Sequence, residues 1–199
     1  MDSGPAKVAA EGTAPATGRP YDRSTKEEST MSFRTIAIPT STAESVRAAL
    51  VSPGYGHPAH AEIANGYGPC RHCLHTFRVG EERRILFTYD PFAGLEALPL
   101  PGPVFIHEES CQRYPVDGGF PDDLRPHALT LNAYAHGRKL QAQEYVTDQD
   151  VEAAIGRLLA RPEIDYIHVR DTEAGCYDLR IEPAAADAAD RSTHQESSC

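Results

Sequence analysis

Apolar and polar residues alternate through Phe33-Arg-Thr-Ile-Ala-Ile38, a period of two that predicts a strand closed by Pro39. Ser41-Thr-Ala-Glu44 then has the spacing of a capping box. It opens a predicted helix that runs to about residue 51, where Ser52-Pro53-Gly54 stops it. The stretch SPGYGHPAHAEIANGYG shows neither period and reads as a long loop, with Gly-Tyr-Gly at 54–56 and again at 66–68. Beyond it the period of two returns. Residues 75–79 and 83–89 predict a hairpin about Gly80-Glu81-Glu82, and 102–107 a short strand. Residues 128–134 and 139–146 predict a second hairpin about His136-Gly137.

Asp148 or Asp150 then caps a helix whose apolar side is Val151, Ile155, Leu158 and Leu159, bounded by Pro162. The last pair of strands, 164–170 and 176–182, flanks the turn DTEAG. Hairpins with two helices predict an α+β fold, a single antiparallel sheet of hairpins with both helices packed on one face. Residues 1–31 and 183–199 fall outside that pattern. Residues 1–30 contain no isoleucine, leucine or phenylalanine, too little apolar surface to offset the entropy of ordering them. Disordered extensions are expected there, leaving one domain over 32–182.

Composition narrows the function classes. A net charge of −10 offers no basic surface for phosphates, so a nucleic-acid partner is not expected. No apolar run approaches the roughly 18 residues that span a bilayer, and no leader pattern opens the chain, so no membrane partner and a cytoplasmic location are expected. No internal repeat, P-loop or Gly-x-Gly-x-x-Gly pattern occurs, which leaves nucleotide binding without support. Five cysteines, an odd number, predict reduced thiols or metal ligands in place of a disulfide framework.

The candidate chemistry centres on Pro69-Cys70-Arg-His-Cys73-Leu74. A Cys-x-x-Cys turn leading into β structure supplies two of the four ligands zinc takes. The other two could be His107 and Cys111, at His-x3-Cys spacing, or His168 and Cys176. His72, inside the motif, is expected to point away from such an ion. A redox role would need the first cysteine at a helix N-terminus, which the strand-like sequence after Cys73 does not provide. Two small reduced cysteines buried in a tight turn are the plain alternative to zinc, and the residues leave both open.

The last hairpin carries a second possibility. With a five-residue loop over 171–175, Arg170 lies opposite Cys176 and His168 opposite Asp178. One face then gathers a thiol, an imidazole and a carboxylate. Those are the parts of a thiol enzyme, with Cys176 as nucleophile, His168 as base, Asp178 as orienting acid, and Arg170 and Arg180 binding an anionic substrate. The plain alternative is a solvated sheet face with charges paired across strands, and a slip of one residue dissolves the constellation. His57-x-x-His60, Glu108-Glu109, Asp122-Asp123 and Cys199 are read as loop or tail residues without assigned chemistry.

One set of elements is familiar. Pro69-Cys70-Arg71-x-Cys73-Leu74, Gly80-Glu81, Tyr89-x-Pro91-Phe92, Gly102-Pro103-Val104-Phe105, Tyr166-Ile167-His168-Val169 and Gly175-Cys176-Tyr177 together resemble a bacterial family, domain of unknown function 1203. The resemblance covers roughly 33–182 and implies no activity, cofactor or partner. His107-Glu-Glu-Ser-Cys111 lies outside the pattern that carries it. The functional expectation is therefore a zinc- or thiol-containing module that binds a small molecule or another protein, with the thiol enzyme as the alternative.

Overall fold

A computed structural model of the chain describes residues 33–147 and 150–184. The elements are β1 (Phe33–Ile36), α1 (Thr40–Ala49), β2 (His60–Ile63), β3 (Arg83–Tyr89), β4 (Gly102–His107), a 3-10 turn (Asp122–Leu124), β5 (Leu129–Ala135), β6 (Lys139–Val146), α2 (Val151–Leu159), β7 (Tyr166–Asp171) and β8 (Tyr177–Pro183). All strand pairs are antiparallel. They form two sheets, ordered β1-β8-β7-β5-β6 and β2-β3-β4. The α+β expectation holds, with the strands divided between two sheets. The expected tails lie, apart from residues 183 and 184, outside the described residues.

Each sheet has its own core and its own helix. Ile167 and Val169 of β7, Leu179 and Ile181 of β8 and Leu129, Leu131 and Ala133 of β5 point to one face. There α2 lays down Val151, Ala154, Ile155, Leu158 and Leu159. On the smaller sheet, Ile85, Phe87, Val104 and Ile106 pack with Ala43 and Val46 of α1, and with Cys70 and Cys73. Chain segments cross between the two cores within a single residue step. Ala37 belongs to the first and Ile38 to the second, while Cys73 belongs to the second and Leu74 to the first.

Three local readings are corrected. Residues 75–79 do not pair with β3. Thr76 instead donates its backbone N–H to Asp123 Oδ2 at 2.9 Å and bridges to Pro69. The partner of β3 is β2, from the stretch read as loop. Helix α1 begins at Thr40 after Pro39, without a side-chain cap, so Ser41 and Glu44 form no capping box. Asp150 is the N-cap residue of α2 but also makes no side-chain cap bond, and Asp148 lies outside the described residues.

The register of the last hairpin differs too. His168 lies opposite Arg180, Val169 opposite Leu179 and Arg170 opposite Tyr177, so Asp178 is the extra residue of a bulge. Arg170 already pairs with Tyr177 and not with Cys176, a shift of one residue at the loop, and the bulge adds a second, so that Arg180 and not Asp178 lies opposite His168.

His168 sits on the sheet face opposite the larger core. The rings of Phe92, Tyr134, Tyr166 and Tyr177 surround it, with centroids 4.7, 5.3, 5.1 and 5.1 Å away. It is fully buried, and neither ring nitrogen has a hydrogen-bond partner among the described residues. Burial, reinforced by Arg170 and Arg180, lowers its pKa to about 3. The folded value lies below the unfolded one. The stability contribution is therefore present above pH 6.5 and is lost as pH falls through the interval down to about 3. A His168→Phe variant lacks this term. Urea titrations at several pH values should show wild-type stability falling relative to the variant below pH 6.5, by up to about 1.4 kcal/mol per pH unit. Parallel curves would refute the assignment.

Candidate metal centre

The turn at Pro69–Leu74 is clamped on every side. The N–H of Leu74 returns to Cys70 O at 2.7 Å, with Leu74 in the left-handed region at φ 60°. Cys70 N–H donates to His75 O at 2.9 Å, Arg71 N–H to Phe105 O at 2.9 Å, and Ile38 N–H to Arg71 O at 3.0 Å. The turn is thereby fixed against β4 and the segment leading into α1. Both cysteine side chains point into the smaller core beside the end of β4, where His107 stands. Cys111 follows on the chain that leaves β4.

Cys70, Cys73, His107 and Cys111 converge here, each offering one ligand atom, with all four atoms within 4.8 Å of one another. Cys70 Sγ lies 3.8 Å from Cys111 Sγ, and Cys73 Sγ 3.3 Å from His107 Nδ1. Three thiols and an imidazole so placed can hold a metal ion. Cys70 is the deepest member, fully buried, and its sulfur also accepts the backbone N–H of His107 at 3.3 Å.

A second layer of side chains faces these four. His107 Nε2 approaches Glu82 Oε2 at 3.5 Å, leaving Nδ1 turned toward the sulfurs. Arg47, on α1, donates from Nη2 to Cys111 Sγ at 3.3 Å and from Nε to His107 O at 3.0 Å. His72 Nδ1 lies 3.2 Å from Cys111 Sγ and its Nε2 3.1 Å from Thr40 Oγ1. His72 thus faces the cluster, contrary to the expectation that it points away. A carboxylate behind a metal-ligating imidazole fixes its orientation and basicity, so for an ion held by this cluster Glu82→Gln is expected to weaken the affinity about 10–100-fold. Competition against a chromogenic chelator measures this, and an unchanged affinity would remove Glu82 from the site.

Protons are shared unevenly in the cluster. Burial alone would raise the Cys70 thiol, but hydrogen bonds with Cys111, Cys73 and His107 outweigh it and hold the thiol well below its ordinary value. The Cys73 thiol goes up, through its hydrogen bonds with Cys111 and Cys70 and through burial. Burial works against the His107 imidazolium, yet Cys111 and Cys70 carry its pKa up to about 10.

The cluster forms one wall of a cavity of about 550 Å³. Cys73, His107 and Cys111 line it together with Glu82, Glu109 and Asp123, while Cys70 lies beneath.

The remaining site candidates are placed elsewhere. His168 and Cys176 are not members of the four-residue group. Cys176 is partly exposed and borders a cavity of about 280 Å³ with Arg170, Tyr89 and Tyr177. Arg170 donates to Gly175 O at 3.0 Å, and Arg180 pairs with Glu182 at 2.9 Å. Asp178 faces Arg71, whose Nη2 is 2.9 Å from Oδ1. His57 and His60 are exposed, Glu108 pairs with Arg83, and Cys199 lies outside the described residues. Nothing in the sequence marked Arg47, Thr40 or Glu82, because each reaches the cluster only through the fold. The visible signal was the His-x3-Cys spacing of 107 and 111.

With this geometry in place, comparison with known families gives one match. A family described as proteins of unknown function (DUF1203) matches residues 67–183. The chain belongs to this family. The family match contains all four cluster residues and Glu82, but not α1, so Arg47 and Thr40 come from outside it. No curated protein and no solved structure matches the chain. No helix among the described residues is long and apolar enough to cross a membrane.

Proposed function

We propose that Cys70, Cys73, His107 and Cys111 hold one zinc ion in a structural site, and that the chain acts as a zinc-supported module binding another protein or a small ligand. The observation that carries this is the convergence of three sulfurs and an imidazole nitrogen within 4.8 Å. A set of four soft-to-intermediate donors suits tetrahedral zinc, whereas hard cations prefer oxygen. Four protein ligands fill such a tetrahedron, which is the pattern of a structural centre; a catalytic one keeps a position open. The buried positions of Cys70 and Cys73 and the carboxylate behind His107 fit that role. The ion would cross-link the turn after Pro69 to β4 and the segment beyond it, three pieces that no continuous secondary structure joins.

Native mass spectrometry of protein purified without chelator is the direct test, repeated after denaturation with a thiol count. One zinc per chain, lost on denaturation, is the expected result. A folded chain that takes up no zinc from a buffered excess would overturn the proposal.

A further inference from the structure

Cys111 differs from the other cluster cysteines. Cys70 and Cys73 are buried, whereas Cys111 is partly exposed and borders the 550 Å³ cavity. Two cationic or hydrogen-bonding groups aim at its sulfur, Arg47 Nη2 at 3.3 Å and His72 Nδ1 at 3.2 Å. Both can donate a hydrogen bond to the oxygen on which charge develops when a peroxide is attacked at this sulfur. Behind it, away from the cavity, stands Cys70 Sγ at 3.8 Å. A disulfide needs about 2.05 Å between sulfurs, so the two must close by less than ~2 Å.

We propose that Cys111 is a site of oxidation by a peroxide and Cys70 its resolving thiol, so that the metal centre proposed above is released by oxidation. The step balances as follows. The Cys111 thiolate attacks one oxygen of the peroxide and the O–O bond breaks. This leaves Cys111 as a sulfenic acid and expels hydroxide, or an alkoxide from an organic peroxide, which takes a proton to leave as water or an alcohol. The Cys70 thiolate then attacks the Cys111 sulfur, forming the S–S bond and expelling the second hydroxide, again protonated to water. Two sulfurs lose two electrons and the peroxide gains them. The ion keeps only Cys73 and His107, half of its ligands, and departs. Because the disulfide is reversible by a thiol reductant, the centre can be rebuilt.

The inference rests on the zinc reading only for the release of the ion; the disulfide stands on the sulfur geometry alone. The test uses the full-length, zinc-loaded chain and hydrogen peroxide, with zinc followed by a chromogenic chelator and disulfides by peptide mass mapping. The expected result is one zinc released per Cys70–Cys111 disulfide, reversed by dithiothreitol with added zinc. Arg47→Gln, compared with the wild type at equal zinc loading, should release the ion about tenfold more slowly. A zinc-loaded chain that keeps its metal and thiols under peroxide, or that forms Cys70–Cys73 instead, overturns the oxidation proposal and leaves the zinc reading standing. A chain that never holds zinc yet forms the Cys70–Cys111 disulfide does the reverse.

Discussion

Replacing Cys70 by serine is expected to abolish stoichiometric metal binding and to lower the urea midpoint of the metal-loaded protein to that of the chelated wild type. Cys70 is the fully buried member of the cluster and is in contact with the other three, Cys111 and Cys73 through its sulfur and His107 through that residue's N–H. A serine hydroxyl is a harder donor on a shorter bond and leaves a tetrahedron of soft ligands incomplete. The stability at stake follows from linkage, since an ion present at a thousand times its dissociation constant stabilises the native state by about 4 kcal/mol. A Cys176→Ser variant is the control. Cys176 lies outside the group, so both metal content and midpoint should stay at the wild-type values. A Cys70→Ser protein with one bound zinc and an unchanged midpoint would end the structural-metal reading.

Where the chain's periodicity is set by a single buried face, sequence reading found the element. The ends of α2, β5 and β7 fall within a residue or two of the pattern because Leu129, Leu131, Ala133, Ile167, Val169 and the buried side of α2 all serve one core. Strand β2 escaped because its pairing is carried by backbone bonds. Its residues His60–Ile63 are exposed or half-buried throughout, and Gly and Pro flank them, so no alternation marks it. Residues 75–79 failed in the opposite sense. They alternate like a strand, but Asp123, 47 positions away, captures the Thr76 backbone.

The candidate site divides in the same way. The Cys-x-x-Cys turn and the His-x3-Cys spacing are local and visible, but choosing His107 and Cys111 over His168 and Cys176 needed the place of β4 relative to the turn. The grouping of Cys176, His168 and Asp178 depended on one register, and a one-residue shift at the loop together with a bulge at Asp178 changes it.

That bulge has a cause, and it supports the second large prediction. Asp178 is turned toward Arg71, one of the two residues between Cys70 and Cys73 and a part of the same turn. Arg71 Nη2 lies 2.9 Å from Asp178 Oδ1, while its Nε donates to Tyr177 O at 2.8 Å and its Nη1 to Pro69 O at 2.7 Å. Both side chains are buried, so this pair ties the turn to β8 of the larger sheet. Removing one partner of a buried ion pair strands the other charge, and Arg71→Met is expected to cost about 3–5 kcal/mol in urea unfolding.

The double variant Arg71→Met, Asp178→Leu removes both charges and should recover most of that loss, because apolar pairs often replace buried ion pairs without penalty. Both variants should still bind one metal ion, which separates the pair's role from that of its cysteine neighbours. Burial pushes Asp178 up to about 6 against the opposing pull of Arg71. Its folded value exceeds the unfolded one, so its contribution falls as pH rises from about 4 to 6, opposite in sign to that of His168. The double variant should therefore show a steeper rise of stability with pH across that window than the wild type, since the His168 term is then unopposed. A double variant no more stable than Arg71→Met would mean that Arg71 acts through its bonds to Tyr177 and Pro69, with Asp178 incidental.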